Sequence, residues 1–407
     1  MKILLLTPQL PFPPHQGTTI RNYNLIRQIA RRHEVHLLSF VYQRGELDGA
    51  GPLRDVCRSI QTVLAPRRTT GQRVKGLLIS RLPDMALRLP SAEFQAELDA
   101  FLAREDPDIV QVEGIEMAQY GLTVADHRHG RRPLLVFDDH NAEYVLQQRA
   151  FETDIRRPNR WGGGVYSYIQ WHRLAWYECL ACRCLDRTVA VSEADSAALH
   201  RLMPDLDVAI IPNGVDTTYY RPLTGPSPEV VLPPYSMVFT GKMDFRPNID
   251  AVLWFAHEVL PLIRAQVSEA RFYIVGQQPH DRITAIAGEP GVVVTGYVDD
   301  VRPYIAGAGA YIVPLRIGGG TRLKVLEAMA MSAGLVSTTV GCEGFPVVAG
   351  QHLLIADTAE SFAAAVVRLL RNPDDRARLG AEARHFVEAC YDWESIVPLF
   401  EQVYANH

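Results

Sequence analysis

The chain has 407 residues, of which 47% are hydrophobic and 21% charged, a composition typical of a soluble globular protein with two or three domains. Its formal net charge of −5 gives no general attraction to nucleic acid, so we expect no nucleic-acid partner. We find no uncharged apolar run of about 18 residues, and the short apolar N-terminus is typical of a buried strand. The sequence therefore predicts a cytoplasmic protein without a membrane span or signal peptide.

Strand and helix patterns alternate through the first half, which is typical of an α/β domain with a parallel sheet. The first strand, at residues 2–7, leads through a loop rich in proline and glycine into a helix at about 18–31. Further short, buried strands are predicted at residues 34–40, 108–112, 134–138, 188–191 and 208–211.

The segment 67–88 is strongly basic: it contains six cations and one acid, Asp84, with leucine, isoleucine and methionine interleaved. Such a pattern is typical either of an amphipathic face that meets anionic lipid or of a solvated helix at the domain edge. We keep both interpretations, so peripheral contact with the inner face of the membrane is an alternative to a purely cytoplasmic location.

Three of the six cysteines are clustered, namely Cys179, Cys182 and Cys184. A metal site would need a fourth ligand, and no close pair of cysteines or histidines lies nearby in the sequence. We interpret the three as packing residues of a helix at about 167–185. Six cysteines in so long a chain also do not make a disulfide scaffold.

A second α/β series follows a stretch in which prolines accumulate. Its strands are predicted at residues 236–240, 272–275, 292–295, 310–313 and 335–337. We predict an N-terminal domain at 1–213, to which residues 391–407 return, and a C-terminal domain at 214–390. Both are doubly wound, and such sheets bind ligands beyond the carboxyl ends of their strands.

A glycine-rich loop connects a buried strand to a helix in the second series, and consists of Gly318, Gly319, Gly320 and Thr321. Glycines leave backbone amides accessible, and a helix N-terminus attracts phosphate. Arg322 and Lys324 follow in the first turn, where cations oppose the helix dipole unless an anion binds there. Glu327 lies on an otherwise apolar helix, and ribose hydroxyls would be suitable partners. The alternative is a surface loop with ordinary helix charges.

These segments resemble the large retaining GT-B glycosyltransferase family that includes bacterial polysaccharide and mannosyl transferases. The motifs that carry the resemblance lie at 211–216, 239–248, 274–276, 294–298 and 313–329. Pro247 and Asn248 most resemble sugar transferases of exopolysaccharide systems. The resemblance implies two Rossmann-like domains facing a deep cleft, with the acceptor on the N-terminal domain and a nucleotide sugar on the C-terminal domain.

The resemblance also implies roles for individual residues. Arg322 and Lys324 would stabilise the donor diphosphate, and Glu327 would hold its ribose. His140 matches a family histidine that contacts the donor sugar. The remaining implied donor contacts are Gly17, Lys242, Tyr297, Gly318, Gly319, Gly320 and Thr321.

Two positions depart from the family pattern. Gly319 stands where the first glutamate of the Glu-x7-Glu motif is expected, so no carboxylate nucleophile is available there. Asn248 stands where the family has a second cation in the loop that begins near Lys242. We therefore expect the cations and loop amides to stabilise the leaving diphosphate electrostatically.

The predicted function is transfer of a sugar from a nucleoside-diphosphate donor to a hydroxyl acceptor, with retention of anomeric configuration as in the family. The acceptor is a glycan, a lipid-linked compound or a small molecule. Neither a glycosidase-like carboxylate pair nor an aspartate pair for Mg²⁺ stands out, so we expect no metal and no cofactor. The alternatives are a nucleotide-sugar 2-epimerase of the same fold and a non-catalytic nucleotide-sugar-binding protein.

Overall fold

The computed structural model describes residues 1–14, 16–126, 132–155, 161–223, 230–318 and 322–405. The chain divides into two compact units: Met1–Pro212 together with Ile396–His407 form unit 1, and Asn213–Ser395 form unit 2. Each unit contains one parallel β-sheet flanked by helices, so the predicted class of two doubly wound Rossmann-like domains is confirmed.

Unit 1 contains a seven-stranded parallel sheet in the order β3-β2-β1-β4-β5-β6-β7. Its inner strands are buried on both faces, which explains their continuous apolar runs. The strands are β1 (Lys2–Thr7), β2 (Glu34–Val41), β3 (Ser59–Leu64), β4 (Ile109–Glu113), β5 (Leu134–Asp139), β6 (Arg187–Ala190) and β7 (Val208–Ile210).

The helices of unit 1 cover this sheet. They are α1 (Gly17–Ile29), α2 (Gly51–Val56), α3 (Thr70–Ile79), α4 (Ala92–Glu105), α5 (Ala118–Asp126), α6 (Glu143–Asp154), α7 (Trp161–Cys184) and α8 (Glu193–Leu202). The last helix of the described chain, which we call α16 (Trp393–Ala405), belongs to unit 1 from Ile396 onward.

Unit 2 contains a six-stranded parallel sheet in the order β10-β9-β8-β11-β12-β13. Its strands are β8 (Ser236–Thr240), β9 (Arg271–Val275), β10 (Val292–Gly296), β11 (Ala310–Val313), β12 (Leu335–Ser337) and β13 (Leu354–Ile355). Its helices are α9 (Arg246–Trp254), α10 (Leu260–Arg264), α11 (Asp281–Thr284), α12 (Arg302–Gly307), α13 (Leu323–Ala330), α14 (Ala359–Arg371) and α15 (Pro373–Cys390). A π-helical turn, Phe255–Val259, joins α9 to α10.

The strand order reverses once in each sheet, between β1 and β4 in unit 1 and between β8 and β11 in unit 2. Loops that follow the two strands at such a reversal diverge to opposite faces and leave a crevice at the carboxyl ends. Ligand-binding residues are therefore expected at these two reversal points.

The basic segment 67–88 forms helix α3 and a following turn. Asp84 is buried, and its carboxylate lies 3.0 Å from Arg68 and 3.5 Å from Arg73. No residue of α3 is buried, so this helix lies on the surface of unit 1. No helix in the described part of the chain has the length and apolarity to cross a membrane.

Candidate active site

At the reversal point of unit 2, the loop after β8 approaches its neighbours too closely for any side chain. Gly241 has φ +154°, and a Cβ atom there would lie 2.9 Å from both Lys324 Nζ and Asn248 Nδ2. Gly276, at the end of β9, would place a Cβ 1.7 Å from the Gly241 carbonyl oxygen. Glycine is required at position 276 because a larger residue would clash with the backbone, and the positive φ of Gly241 favours glycine there.

Lys324 is held by the residue that departs from the family pattern. Its Nζ donates to Asn248 Oδ1 at 3.0 Å and lies 4.0 Å from the centre of the Phe239 ring. Asn248 Nδ2 in turn donates to the Lys242 carbonyl at 2.8 Å, which fixes the loop. Asn248 therefore positions a cation instead of supplying one.

Lys324 titrates near neutrality. Burial lowers the pKa of its ammonium to about 7, with Glu327 opposing this shift and Arg322 adding to it. The Lys242 ammonium, by contrast, is more than half exposed and lies 3.3 Å from Asp244 Oδ2. The two lysines are thus in different environments, and only Lys324 lies among buried groups.

Arg322 lies at the N-terminus of α13 with 7% of its surface exposed. Its Nη2 is 3.6 Å from Glu343 Oε2. Gly318 precedes it at φ +131°, a conformation that favours glycine. Gly319, Gly320 and Thr321, which the sequence also predicts as donor contacts, lie outside the described residues.

Glu327 is partly buried one turn further along α13 and accepts a hydrogen bond from the Tyr220 hydroxyl at 3.2 Å. Burial raises the pKa of Glu327, while this hydrogen bond and the Lys324 ammonium oppose the shift. Tyr297, the last predicted donor contact of unit 2, follows edge strand β10 and is 66% exposed. It lies two strands away from β8, so the grouped residues are Arg322, Lys324 and Glu327.

In unit 1, His140 follows β5 and belongs to a buried polar network. Its Nε2 lies 2.8 Å from Glu113 Oε2, at the end of β4, and 3.9 Å from Asp138 Oδ2. Burial alone lowers the pKa of His140, but the hydrogen bond to Glu113 and the charge of Asp138 outweigh it, so the pKa is raised overall. Burial, followed by the charge of Asp138, raises the pKa of Glu113 as well.

Arg21 on α1 forms the other side of this network. Its guanidinium donates to both oxygens of Asp138, at 2.8 and 2.9 Å, and to the backbone carbonyls of Ile211 and Pro212, both at 3.1 Å. A bidentate pair of this kind is strong and directional. Arg21 therefore ties α1, β5 and the end of unit 1 together beneath His140.

The network continues to the C-terminal helix. Gln111 Nε2 donates to Glu113 Oε1 at 2.6 Å, and the Tyr404 hydroxyl of α16 donates to Gln111 Oε1. Gly17, which the sequence predicts as a donor contact, is the first residue of α1. A Cβ at Gly17 would meet no atom of the described residues within 4 Å, so a ligand could approach this glycine from that side.

Two groups of side chains in the described part of the chain have the geometry to meet a metal ion. One is Glu113, Asp138 and His140, where the Arg21 guanidinium already occupies the Asp138 carboxylate. The other is Glu34, His36 and Glu105 at the amino end of the sheet, where Lys2 pairs with Glu105 at 3.0 Å. The expected absence of a metal site stays a prediction.

Four functional candidates were not identified from the sequence: Arg21, Glu113, Asp138 and Tyr220. The signal for Glu113 and Asp138 is a charged residue at the last positions of an apolar strand, because parallel strands place such residues at one edge of the sheet. Arg21 and Tyr220 have no comparable signal, since their partners are 117 and 107 residues away in sequence.

Solved structures resemble this chain over its whole length. Sucrose-phosphate synthase from Thermosynechococcus elongatus has a TM-score of 0.74 and 19% identity, covering 99% of this chain and 98% of that one. Anabaena HepE in complex with UDP and glucose has a TM-score of 0.66 and 13% identity, covering 99% of both chains. WaaG, a glycosyltransferase involved in lipopolysaccharide biosynthesis, has a TM-score of 0.64 and 14% identity over 100% of both.

Among curated proteins, an uncharacterized 44.6 kDa protein in the cps region of Klebsiella pneumoniae is 23% identical over 169 residues. The match spans 40% of this chain and 44% of that protein. It thus covers less than half of the curated relative.

Two doubly wound parallel domains that resemble these structures end to end define the GT-B glycosyltransferase class. The family model described as Glycosyltransferase Family 4 matches residues 16–219, half of the chain, and that described as Glycosyl transferases group 1 matches residues 234–372. The chain belongs to this family of glycosyltransferases.

Proposed function

We propose that the protein transfers a sugar from a nucleoside-diphosphate donor to a hydroxyl acceptor with retention of anomeric configuration. The observation that carries this proposal is the grouping of Arg322, Lys324 and Glu327 on one helix at the reversal point of unit 2. In this arrangement the two cations and the amides near Gly318 bind the diphosphate, and Glu327 accepts hydrogen bonds from the ribose hydroxyls. The UDP complexes of HepE support a donor of this kind.

In this mechanism the leaving diphosphate develops negative charge as the bond to the sugar breaks. Arg322 and protonated Lys324 stabilise that charge in a partly buried site, where electrostatic interactions are stronger than in water. The leaving phosphate shields one face of the sugar, takes the acceptor proton and directs attack to the same face. We also assign a donor-sugar contact to His140.

The stereochemistry tests the proposal directly. The purified chain is incubated with UDP-glucose, one of the donors to be screened, and a panel of hydroxyl acceptors, and NMR assigns the anomeric configuration of the product. A product with the configuration of the donor supports retention, whereas an inverted product contradicts it. If thermal shift shows no stabilisation by any nucleotide sugar, the donor assignment fails, because a ligand at 100 times its Kd adds about 2.7 kcal/mol of stability.

For the acceptor we propose a glycan or a lipid-linked compound, as in polysaccharide biosynthesis. The WaaG relative, involved in lipopolysaccharide biosynthesis, and the relative from a cps region support this class. The basic segment 67–88 includes helix α3, which lies on the surface of unit 1. This segment is suited to peripheral contact with anionic lipid.

The 2-epimerase alternative requires acid and base groups around the sugar, and Glu113, Asp138 and His140 are groups of that type. However, Arg21 donates to the Asp138 carboxylate and Gln111 donates to the Glu113 carboxylate. This arrangement is suited to stabilising a charged His140 side chain, whereas an epimerase needs groups that exchange protons with the sugar. Formation of an epimerised nucleotide sugar without any acceptor would favour the epimerase.

We predict that transferase activity survives chelation by EDTA. Side-chain cations, rather than Mg²⁺, neutralise the diphosphate in the proposed site. The measurement is initial rate with and without EDTA, with the chelator dialysed out as a control. Loss of activity that added Mg²⁺ or Mn²⁺ restores would show that a metal is needed.

We predict that UDP binding weakens as the pH rises above about 7. The Lys324 pKa is about 7 in the free site, and a bound diphosphate favours its charged form, so binding must take up a proton at higher pH. The affinity should fall by up to about tenfold per pH unit. Calorimetry in buffers of different ionisation enthalpy measures this proton uptake.

Lys324→Arg is the matched control for this pH dependence, because arginine stays charged throughout the range. The variant should bind UDP without net proton uptake by the protein between pH 7 and 9. Any proton uptake by UDP itself is the same for the variant and the natural protein, so it cancels in the comparison. Equal proton uptake by the variant and the natural protein would exclude Lys324 as its source.

We predict that Glu113→Gln moves the alkaline limb of the kcat/KM profile to lower pH. Glu113 and Asp138 raise the pKa of His140, while Arg21 opposes them, so removing the Glu113 charge leaves an imidazolium that deprotonates earlier. Glu97→Gln on the exposed face of α4 removes the same charge at a distant position and is the matched control. An unchanged profile would mean that the charge of His140 is not used in turnover.

A further inference from the structure

Helix α7 presents a line of aromatic and apolar side chains to solvent. The exposed fractions are 59% for Trp161, 62% for Val165, 46% for Tyr168 and 50% for Trp176. Together with exposed His172, these residues follow one another at intervals of three or four, which places them on one face of the helix. We call them the aromatic stripe.

Tyr168, in the middle of the aromatic stripe, packs against neighbouring rings. The Tyr168 ring contacts His172 edge-on at 4.5 Å between centroids, and Phe151 of α6 at 5.3 Å. Helix α6 packs along α7, so the stripe is supported from one side. A ring that is already packed in this way loses little conformational entropy on binding. A row of large, exposed apolar side chains is also characteristic of interaction surfaces.

Helix α3 adjoins α7 on the other side. The Arg173 guanidinium of α7 donates to the Leu77 carbonyl of α3 at 2.7 Å, and Gln170 Oε1 accepts from the Asp84 amide at 2.7 Å. Helix α3 exposes Leu78 and Ile79, by 78% and 73%. Helices α3 and α7 therefore adjoin in unit 1, and we call α3 together with the aromatic stripe the α3–α7 surface.

The α3 part of this surface is positively charged. No acid occurs in residues 67–83, and Asp84 is buried beside Arg68 and Arg73. Arg67, Lys75 and Arg81 are exposed among the apolar residues of the segment. Tryptophan and tyrosine prefer the headgroup region of a bilayer, and exposed cations near them are attracted by anionic lipid.

We propose that the α3–α7 surface is a peripheral binding site for an anionic lipid bilayer, with the rings of the aromatic stripe in the headgroup region and the cations of α3 on the lipid phosphates. This deepens the proposed function, since it brings unit 1 to a membrane in which lipid-linked hydroxyl acceptors reside. The vesicle-binding step itself needs neither donor nor acceptor.

The tryptophans of the chain give a built-in probe. Three of the five, Trp161, Trp171 and Trp176, lie on α7, and the other two, Trp254 and Trp393, are buried in unit 2. The full chain is mixed with vesicles of phosphatidylglycerol and phosphatidylethanolamine, and with phosphatidylcholine vesicles for comparison. We expect co-sedimentation with the anionic vesicles alone, a blue-shifted emission, and quenching by brominated acyl chains.

Variants assign the binding to the surface. Trp161→Ser combined with Trp176→Ser should weaken binding at least about tenfold, because most of the ring area is removed. Lys75→Ala and Arg81→Ala should each weaken it about fivefold at low salt. Val165→Ser should weaken binding while Val348→Ser, a comparably exposed valine of unit 2, should leave it unchanged.

Several results would overturn this proposal. Unchanged vesicle binding in the double tryptophan variant would do so, as would equal binding to phosphatidylcholine vesicles. If light scattering shows a dimer that the tryptophan variant dissociates, the surface binds a second copy instead. Thermal stabilisation by UDP in every variant verifies that unit 2 is intact, and circular dichroism verifies folding. Failure of the proposed function is distinguishable, because it would abolish transfer to hydroxyl acceptors while vesicle binding persists.

Discussion

Replacing Arg322 by alanine is expected to lower turnover about 10²–10³-fold, which corresponds to about 2.7–4 kcal/mol of lost transition-state stabilisation. The guanidinium lies at the N-terminus of α13, where only 7% of its surface is exposed. Negative charge on the diphosphate grows as the sugar departs, so a cation here interacts more strongly with the transition state than with the bound donor. Steady-state kinetics should therefore show a fall in kcat that exceeds the change in donor affinity.

The controls for this experiment separate charge from geometry. Arg322→Lys keeps the charge but not the forked donor pattern, and should recover part of the turnover. Arg316→Ala removes a neighbouring cation that is paired with Asp250 at 3.0 Å on the surface, and should have little effect. Normal turnover with a raised donor KM in Arg322→Ala would show that Arg322 binds ground state and transition state equally.

Replacing Glu327 by alanine is expected to weaken donor binding at least about tenfold. The carboxylate is the proposed acceptor for two ribose hydroxyls, and a hydrogen bond to a charged group contributes about 1.5–3 kcal/mol. Calorimetry with UDP measures the effect. UDP also tests the site without any dependence on the identity of the sugar.

Two further variants test the same carboxylate. Glu327→Gln retains one acceptor oxygen and should lose less affinity than Glu327→Ala. Tyr220→Phe removes the hydroxyl that donates to Glu327 Oε1 at 3.2 Å and should cause a smaller loss, because the carboxylate remains. If all three variants bind UDP as the natural protein does, the ribose assignment to Glu327 is wrong.

Strands buried on both faces were the elements that the sequence predicted best. The apolar run at residues 236–240 corresponds to β8 at Ser236–Thr240. In contrast, β3 at Ser59–Leu64 was not predicted, because its partly buried residues include serine, glutamine and threonine. Strand β13 has only two residues, too few for a pattern.

Helix α7 shows how packing overrides a local signal. The sequence predicts its start near residue 167, whereas the helix begins at Trp161. Three glycines at 162–164 disfavour a helix by themselves. However, Gly164 is buried against the backbone of Ile155 at the end of α6, where a Cβ would already be in contact at 3.6 Å. Close approach of α6 thus offsets the low helical propensity of glycine.

The candidate site was predictable in unit 2 and largely hidden in unit 1. Arg322, Lys324 and Glu327 are close in sequence on one helix, so a short motif contains them all. The network around His140 joins residues from α1, β4 and β5, and only the strand order brings them together. Asn248, which the sequence shows as a missing cation, proves to be the partner of Lys324, a role that only the folded loop reveals.

The contribution of α16 to unit 1 has a consequence for biosynthesis. Tyr404 bonds to Gln111, Glu401 pairs with Arg32 at 2.8 Å, and the Arg21 guanidinium lies 5.3 Å from the Phe400 ring. A ribosome releases residues 396–405 only after it has made all of Asn213–Ser395. Unit 1 is therefore the first to begin and the last to be completed, and the polar network around His140 lacks its final helix until the whole of unit 2 has been synthesised. Until then, the half-finished domain exposes apolar surface for chaperones to bind.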